Sequence, residues 1–166
     1  GSRGMGGLSG MVMGSVSASV VSHASCPVVV VREDNHVTDS TKYGPVVVGV
    51  DGSEVSQKAT SYAFREAQAR GAALIAVHTW MDMQVQASLA GLSAAQSEWA
   101  DIEKEQSELL TENLKEPREE YPEVEVKKLI TRDRPVNALT EAAEGAQLLV
   151  VGSHGRGGFK GMLLGS

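Results

Sequence analysis

The chain has 166 residues and a formal net charge of −6, so it is long enough for one domain, and its scattered basic residues exclude a surface for nucleic acid. Its single cysteine, Cys26, excludes an internal disulfide and a cysteine-based metal cluster, and it indicates a reducing, cytoplasmic compartment. Because no apolar run approaches the roughly 20 residues that cross a bilayer, no membrane partner is expected.

Residues 1–32 begin with a glycine-rich segment and continue into two apolar elements. The spacing predicts a helix from Ser15 to His23 and a strand from Pro27 to Val31. The polar stretch that follows, 33–44, is predicted to be a linker.

From residue 45 onward, predicted strands and helices alternate. Short apolar runs bounded by turn residues predict strands at 45–50, 74–78, 124–130 and 147–151, with 124–130 nearest an edge. Three helices are predicted between them, each with its own boundary signals: Ser53 to Gly71, the capping box of Ser93 and Gln96 to Pro117, and Pro135 to Gly145. This alternation predicts an α/β fold with a parallel sheet and right-handed crossovers.

The two ends of the chain carry copies of one segment. The first fifteen residues, GSRGMGGLSGMVMGS, return as GSHGRGGFKGMLLGS at residues 152–166. We interpret the chain as a frame that runs from the glycine loop of one domain to that of the next in a tandem protein. Residues 1–32 then derive from the preceding domain, and residues 45–166 form a domain that lacks its own last helix and strand. Gly1 and Ser2 alternatively derive from cloning.

Each copy has the spacing Gly-x2-Gly-x9-Gly-Ser, which in the second copy falls on Gly152, Gly155, Gly165 and Ser166. A glycine directly after a buried strand lets the backbone approach a ligand without a Cβ in the way. A Gly-Ser pair at a helix start, such as Gly14 and Ser15, offers N–H groups and the positive end of the helix dipole to phosphate oxygens. The alternative is a flexible surface loop, but the repetition and the context favour anion binding.

A second candidate feature is the acidic residue that follows the predicted strand 45–50. Asp51 and Ser53 can simply cap the next helix. A carboxylate at the carboxyl end of a strand, where the winding of an open α/β sheet reverses, can also bind ribose hydroxyls or a metal ion.

Together these segments resemble the universal stress protein family, in particular the ATP-binding, tandem-domain members from actinobacteria. The resemblance rests on four stretches: VVVGVDGS at 46–53, IAVHTW at 75–80, LLVVGSHGRGGFKGMLLGS at 148–166 and VSASVVSHASCPVVVVRE at 16–33. It implies a three-layer fold similar to the adenine nucleotide alpha hydrolases. Its five-stranded parallel sheet would have the order 3-2-1-4-5, counted from the strand 45–50, with residues 27–31 as the fifth strand.

The resemblance also implies ATP, with or without Mg²⁺ between its phosphates, at the reversal between strands 1 and 4. Asp51 would lie near the ribose, and the backbone of Val77 would meet the adenine. Gly152 and Gly155 would line the ribose and phosphates, and the phosphates would also meet Gly165 and Ser166. We expect a hybrid site in which Gly14 and Ser15 replace this last pair.

In the family, the helix and strand of residues 15–31 come last in the domain, whereas here they come first. We expect residues 27–31 to pair beside 147–151. The pairing would be either within the chain, as a circular permutation, or between two chains, as a swapped homodimer.

Two further groups near the predicted site have open roles. His78 is predicted to be structural or to contribute through its backbone. Arg132, Asp133 and Arg134 lie near the expected mouth of the site, where they either gate it or are merely solvated.

The leading hypothesis is an ATP-binding stress-response module that acts through nucleotide-dependent conformation or assembly, with little or no hydrolysis. No Ser-His-Asp arrangement, pair of catalytic carboxylates or HExxH motif is discernible. One alternative is a nucleotide-processing enzyme on the same scaffold. The other is a folded fragment that dimerises without binding nucleotide.

Overall fold

The computed structural model describes residues 15–31, 43–80 and 96–153. Strands and helices alternate after the first helix, in the predicted order. The elements are α1 (Ser15–His23), β1 (Val46–Gly49), α2 (Glu54–Arg70), β2 (Leu74–Thr79), α3 (Gln96–Glu120), β3 (Val126–Thr131), α4 (Pro135–Ala142) and β4 (Leu148–Val150). The predicted α/β class is therefore confirmed.

The four described strands form one parallel sheet in the order β3-β2-β1-β4. Val48 of β1 is aligned with Ala76 of β2 on one side and with Val150 of β4 on the other. Strand β3 lies at an edge, as its alternating polar residues predicted. Because β2 and β3 lie on one side of β1 and β4 lies on the other, the winding reverses between β1 and β4.

Helices cover both faces of the sheet, because successive side chains of a strand point to opposite faces. On one face, α2 and α3 bury Phe64, Leu110 and Leu114 against Val46 and Val48 of β1. On the other face, α4 packs Ala138 and Leu139 over Val47 and Val77, which follow the opposite alternation. The sheet is thus the middle of three layers, and β1 is its most buried strand.

Helix α2 begins and ends at the residues that its sequence signals predicted. Ser53 has an extended backbone, and its side chain accepts a hydrogen bond from the amide of Ser56. Gly71 has a left-handed φ of 60° and donates its amide to the carbonyl of Gln68 at 3.1 Å. The buried residues between these caps recur every three or four positions, as an amphipathic helix requires.

Helix α3 continues past the residue at which its end was predicted. Its last residue is Glu120, so the predicted end at Pro117 is wrong. The proline removes one backbone hydrogen bond of the helix. However, Pro117 is buried, and its carbonyl accepts a hydrogen bond from the amide of Tyr121 at 2.9 Å. Burial of this face offsets the lost bond. The predicted capping serine, Ser93, lies outside the described residues.

Residues 27–31 form no strand. Val28, Val29, Val30 and Val31 are 37%, 61%, 53% and 81% exposed, and the described sheet has four strands. The prediction of a fifth strand that pairs with β4 within the chain is therefore wrong for this structure. An extended apolar segment becomes a strand only when a neighbouring strand takes up its backbone hydrogen bonds, and β4 does not do so here. Exchange of this segment between two chains stays a prediction.

Helix α1 has the predicted bounds of Ser15 and His23, and Val16 and Val20 on it are exposed. Taken over the described ranges, no helix combines the length and the apolar character that a membrane span needs.

Candidate functional site

The carboxyl ends of β1 and β4 lie side by side where the winding reverses. Val48 and Val150 are the last aligned pair of these strands. Three residues beyond that pair, the chain reaches Asp51 on one side and Ser153 on the other, with Gly152 just before Ser153. The structure therefore brings Asp51 and the start of the second glycine segment to the same end of the sheet, on the two sides of the reversal, which is where open α/β sheets have a ligand-binding crevice.

Asp51 is half-buried and belongs to a tight turn that starts α2. Its Oδ1 accepts a hydrogen bond from the amide of Ser53 at 2.9 Å. Its own amide donates to Oγ of Ser56 at 3.0 Å. Gly52, between Asp51 and Ser53, has a φ of 79°, a left-handed conformation that a side chain would strain. Of the two capping residues considered, Ser53 is the N-cap of α2, and Asp51 accepts from the amide of that cap. The turn thus holds the Asp51 carboxylate at the end of β1.

Gly49 allows close packing beneath the crevice. A Cβ at this position would lie 3.3 Å from Cδ2 of Leu139 on α4 and 3.6 Å from Cγ1 of Val151. A larger side chain would push α4 away from the reversal point. The glycine at the end of β1 therefore allows the close packing of α4.

Val77 occupies the end of β2 next to β1. Its side chain is 2% exposed, and its carbonyl accepts a hydrogen bond from the amide of Val50 at 2.8 Å. A carbonyl oxygen has two lone pairs, so this bond leaves one acceptor position at Val77. A contact between the Val77 backbone and a base stays a prediction.

His78, the next residue, is buried and structural, as expected. Its Nδ1 lies 2.7 Å from the carbonyl oxygen of Val50, and its Nε2 lies 3.0 Å from Oε1 of Gln106 on α3. Sequence reasoning missed Gln106. The available signal was its position four residues before Leu110 and eight before Leu114, where an amphipathic helix repeats its apolar face.

Arg132, Asp133 and Arg134 follow β3, and β2 lies between them and the crevice. The guanidinium of Arg132 lies 5.6 Å from the centre of the Trp80 ring. Oδ1 of Asp133 accepts hydrogen bonds from the amide of Arg134 at 2.6 Å and from Asn137 at 3.4 Å. Asp133 thus stabilises the start of α4, and its contacts are structural.

Of the remaining predicted ligand-contacting residues, the structure describes only Ser15. Ser15 is the first residue of α1, which agrees with a Gly-Ser pair at a helix start. Gly14, Gly155, Gly165 and Ser166 lie outside the described residues. Within residues 15–31, 43–80 and 96–153, no three His, Cys, Asp or Glu side chains are grouped to hold a metal ion.

Comparison with known proteins places this geometry in context. The sequence matches the Universal stress protein family over residues 1–32 and 42–166. Universal stress protein Rv2005c of Mycobacterium tuberculosis is 46% identical over 166 residues, which are 100% of this chain and 54% of that protein. Universal stress protein Rv1996 of the same organism is also 46% identical, over 100% of this chain and 52% of its own length.

The chain spans about half the length of the curated relatives that it matches. Among solved structures, universal stress protein UspA from Lactobacillus plantarum has a similar fold, with a TM-score of 0.58 and 21% identity. The similarity covers 75% of this chain and 86% of that one.

Proposed function

Because the chain belongs to the universal stress protein family, we propose that it binds ATP in the crevice between β1 and β4. The bound nucleotide would change the conformation or assembly of the protein, with little or no hydrolysis. The protein would thus act as a regulatory module in a stress response.

The observation that carries this proposal is the reversal of winding between β1 and β4. Ligands of open α/β sheets lie beyond the carboxyl ends of the strands at such a reversal. Asp51 and Gly152 are on the two sides of that crevice, and Asp51 is held in a turn with two hydrogen bonds of 2.9 and 3.0 Å. A preformed turn lowers the ordering cost of binding.

The glycine segment supplies the chemistry for the phosphates. In the proposed complex, peptide N–H groups at Gly152 and Gly155 line the ribose and phosphates. The outer phosphates meet the end of the loop at a helix start. This end is formed either by Gly165 with Ser166 or, in the hybrid arrangement, by Gly14 with Ser15. Asp51 would accept a hydrogen bond from a ribose hydroxyl, and the backbone of Val77 would meet the adenine. Mg²⁺, where it accompanies ATP, would neutralise part of the phosphate charge.

Calorimetric titration of the whole chain with ATP and Mg²⁺ tests the proposal. Asp51→Ala should weaken ATP binding about tenfold or more, the effect of losing a hydrogen bond to a charged group. Ser53→Ala is the matched control, since it also removes one hydrogen bond of the same turn but leaves the carboxylate. It should change affinity by less than about threefold.

The alternatives give different results in the same experiment. Release of ADP at well above about one turnover per minute would favour an enzyme on this scaffold over a binding module. An absence of binding heat from the wild-type chain would favour the inert, dimerising fragment. Equal losses of affinity in the two variants would contradict the role given to Asp51.

We propose further that residues 27–31 of one copy pair with the edge of β4 in a second copy, which makes a swapped homodimer. Three observations support this assembly. The four valines from 28 to 31 are exposed, the β4 side of the sheet exposes Leu149 at 40% and Val151 at 53%, and β4 lies at one edge of the described sheet. Large exposed apolar surfaces of this kind are typical of interfaces.

Sedimentation velocity over a range of protein concentrations tests the assembly. Val29→Asp should convert the dimer to a monomer, because it places a charge in the exchanged strand. Val136→Asp on α4 is the control, since Val136 is 62% exposed and Val29 is 61% exposed. A wild-type chain that stays monomeric at all concentrations would contradict the swapped homodimer.

A further inference from the structure

A buried network of hydrogen-bonded polar groups connects helix α3 to the end of β1. Gln106 of α3 is fully buried, and its Oε1 lies 3.0 Å from Nε2 of His78. His78 is 7% exposed, and its Nδ1 lies 2.7 Å from the carbonyl oxygen of Val50. Buried polar groups are costly unless each finds a hydrogen-bond partner, so this network requires an explanation.

The positions of the polar hydrogens in this network follow from which of its atoms can only accept. The Val50 carbonyl can only accept, so Nδ1 of His78 must carry the proton and donate. In a neutral imidazole, Nε2 is then an acceptor and requires a donor. Oε1 of Gln106 also only accepts, whereas the amide nitrogen of Gln106, which is buried, has no hydrogen-bond partner.

Rotating the Gln106 amide by half a turn removes this mismatch, and the two orientations have the same shape. The amide nitrogen then donates to Nε2 of His78, and Nδ1 of His78 donates to Val50. The Gln106 oxygen takes the position without a partner, which is less costly for a carbonyl than for an N–H group. Both hydrogen bonds of the network are then donated in the direction from α3 toward β1.

Both backbone groups of Val50 are tied to β2 by these contacts. Its amide donates to Val77 at 2.8 Å, and its carbonyl accepts from His78 at 2.7 Å. Val50 lies one residue past the end of β1 and one residue before Asp51. The direction in which the chain leaves the sheet, and hence the place of the Asp51 carboxylate, depends on this anchoring.

We propose that Gln106 and His78 are positioning residues for the nucleotide crevice. They orient the Val50 carbonyl, and through it the Asp51 turn, from the side of α3 without touching the ligand. This inference rests on the proposed function for its effect on ATP, but the geometry itself can be measured without nucleotide.

The first test uses the wild-type chain without ligand. Long-range ¹H–¹⁵N spectra should show His78 as the neutral tautomer with its proton on Nδ1. A proton on Nε2 with none on Nδ1 would overturn the inference, because the Val50 carbonyl would then have no donor from His78.

The second test replaces the donor in α3. Gln106→Met keeps the side-chain length and removes both polar atoms. Because Ser53 donates its amide to Asp51 at 2.9 Å, that amide reports the position of the turn. We expect its hydrogen exchange to become about tenfold faster in the variant, and its unchanged protection would overturn the positioning role. Leu110→Met, a volume-conserving change one turn further along α3, is the control and should leave the exchange of Ser53 as it is.

The third test compares two replacements of His78. Asn carries an N–H₂ group that can reach the Val50 carbonyl, whereas Leu carries none. His78→Asn should therefore retain more ATP affinity than His78→Leu, by about three- to tenfold. Equal affinities would contradict the positioning role. If the wild-type chain binds no ATP, the proposed function fails, while the tautomer and the Ser53 amide still decide the inference.

Discussion

Two runs of valine in this chain have opposite surroundings. Val46, Val47 and Val48 form the centre of the sheet with an exposure of 0%, whereas the four valines at 28–31 are 37–81% exposed. Both runs follow a proline and both consist of β-branched residues with a high preference for strands. The difference lies in their neighbours, because β1 has a strand on each side and helices on both faces. A strand preference therefore becomes a strand only where partners are present.

The comparison has an energetic consequence. Full burial of a valine side chain contributes about 1.5–3 kcal/mol relative to exposure. The central run has gained this contribution, and the run at 28–31 has gained little of it. The exposed run thus keeps a driving force for association, which is the physical basis of the swapped dimer proposed above.

The largest effect is expected from placing a charge in each run. Val47→Asp puts a carboxylate into the centre of the sheet and should destabilise the protein by more than about 4 kcal/mol, or prevent folding. Val29→Asp should change the stability of the monomer by less than about 0.5 kcal/mol. Urea unfolding followed by circular dichroism at low protein concentration measures both. Similar losses in the two variants would show that the run at 28–31 is packed in solution.

An intermediate effect is expected where the chain enters the packed region. Gly44 is buried beside Gly145, and Gln147 bonds to the carbonyls of Gly44 and Pro45. A Cβ on Gly44 would overlap the carbonyl oxygen of Gly145, so the backbone must move. Gly44→Ala should cost about 2–4 kcal/mol in thermal or urea unfolding.

Gly71→Ala is the control for this glycine. A Cβ there meets nothing within 4 Å, but the φ of 60° is unfavourable for alanine. The cost should be about 1–2 kcal/mol. If Gly44→Ala proved the milder change, the start of β1 would be less tightly held than its contacts indicate.

The smallest effect is expected at the cap of α2, the helix that covers β1. Ser53→Ala removes the hydrogen bond from the Ser56 amide to Oγ of Ser53, which is 3.2 Å long. The expected cost is about 1 kcal/mol in urea unfolding. Ser61→Ala, at an exposed position of the same helix, should be neutral or slightly stabilising. A reversed order of the two would contradict the capping role of Ser53.

Much of the fold was predictable because its signals are local. The order of the elements, the cap at Ser53 and the glycine end at Gly71 follow from residues that lie within a few positions of each boundary. The end of α3 was not predictable in the same way. Pro117 favours termination locally, but its burial on the helix face outweighs that tendency, and burial depends on residues far away in the chain.

The candidate site was predictable in part for a similar reason. Asp51 and Gly152 follow apolar strands, so their place at the carboxyl end of the sheet could be inferred from alternation. The pairing of His78 with Gln106 could not, because the two residues are 28 positions apart and belong to different layers. A glutamine on an apolar helix face marks an anomaly, but the sequence does not say which group it meets.

The sequence by itself determined the class of fold, the alternation of strands and helices after residue 45, the caps of α2 and the glycine pattern, since each depends on short-range periodicity and backbone preference. Tertiary structure decided which valine run became the central strand, how far α3 continues and which side chains anchor the end of β1. These outcomes depend on which surfaces exclude water together, and that is a property of the packed chain rather than of any segment.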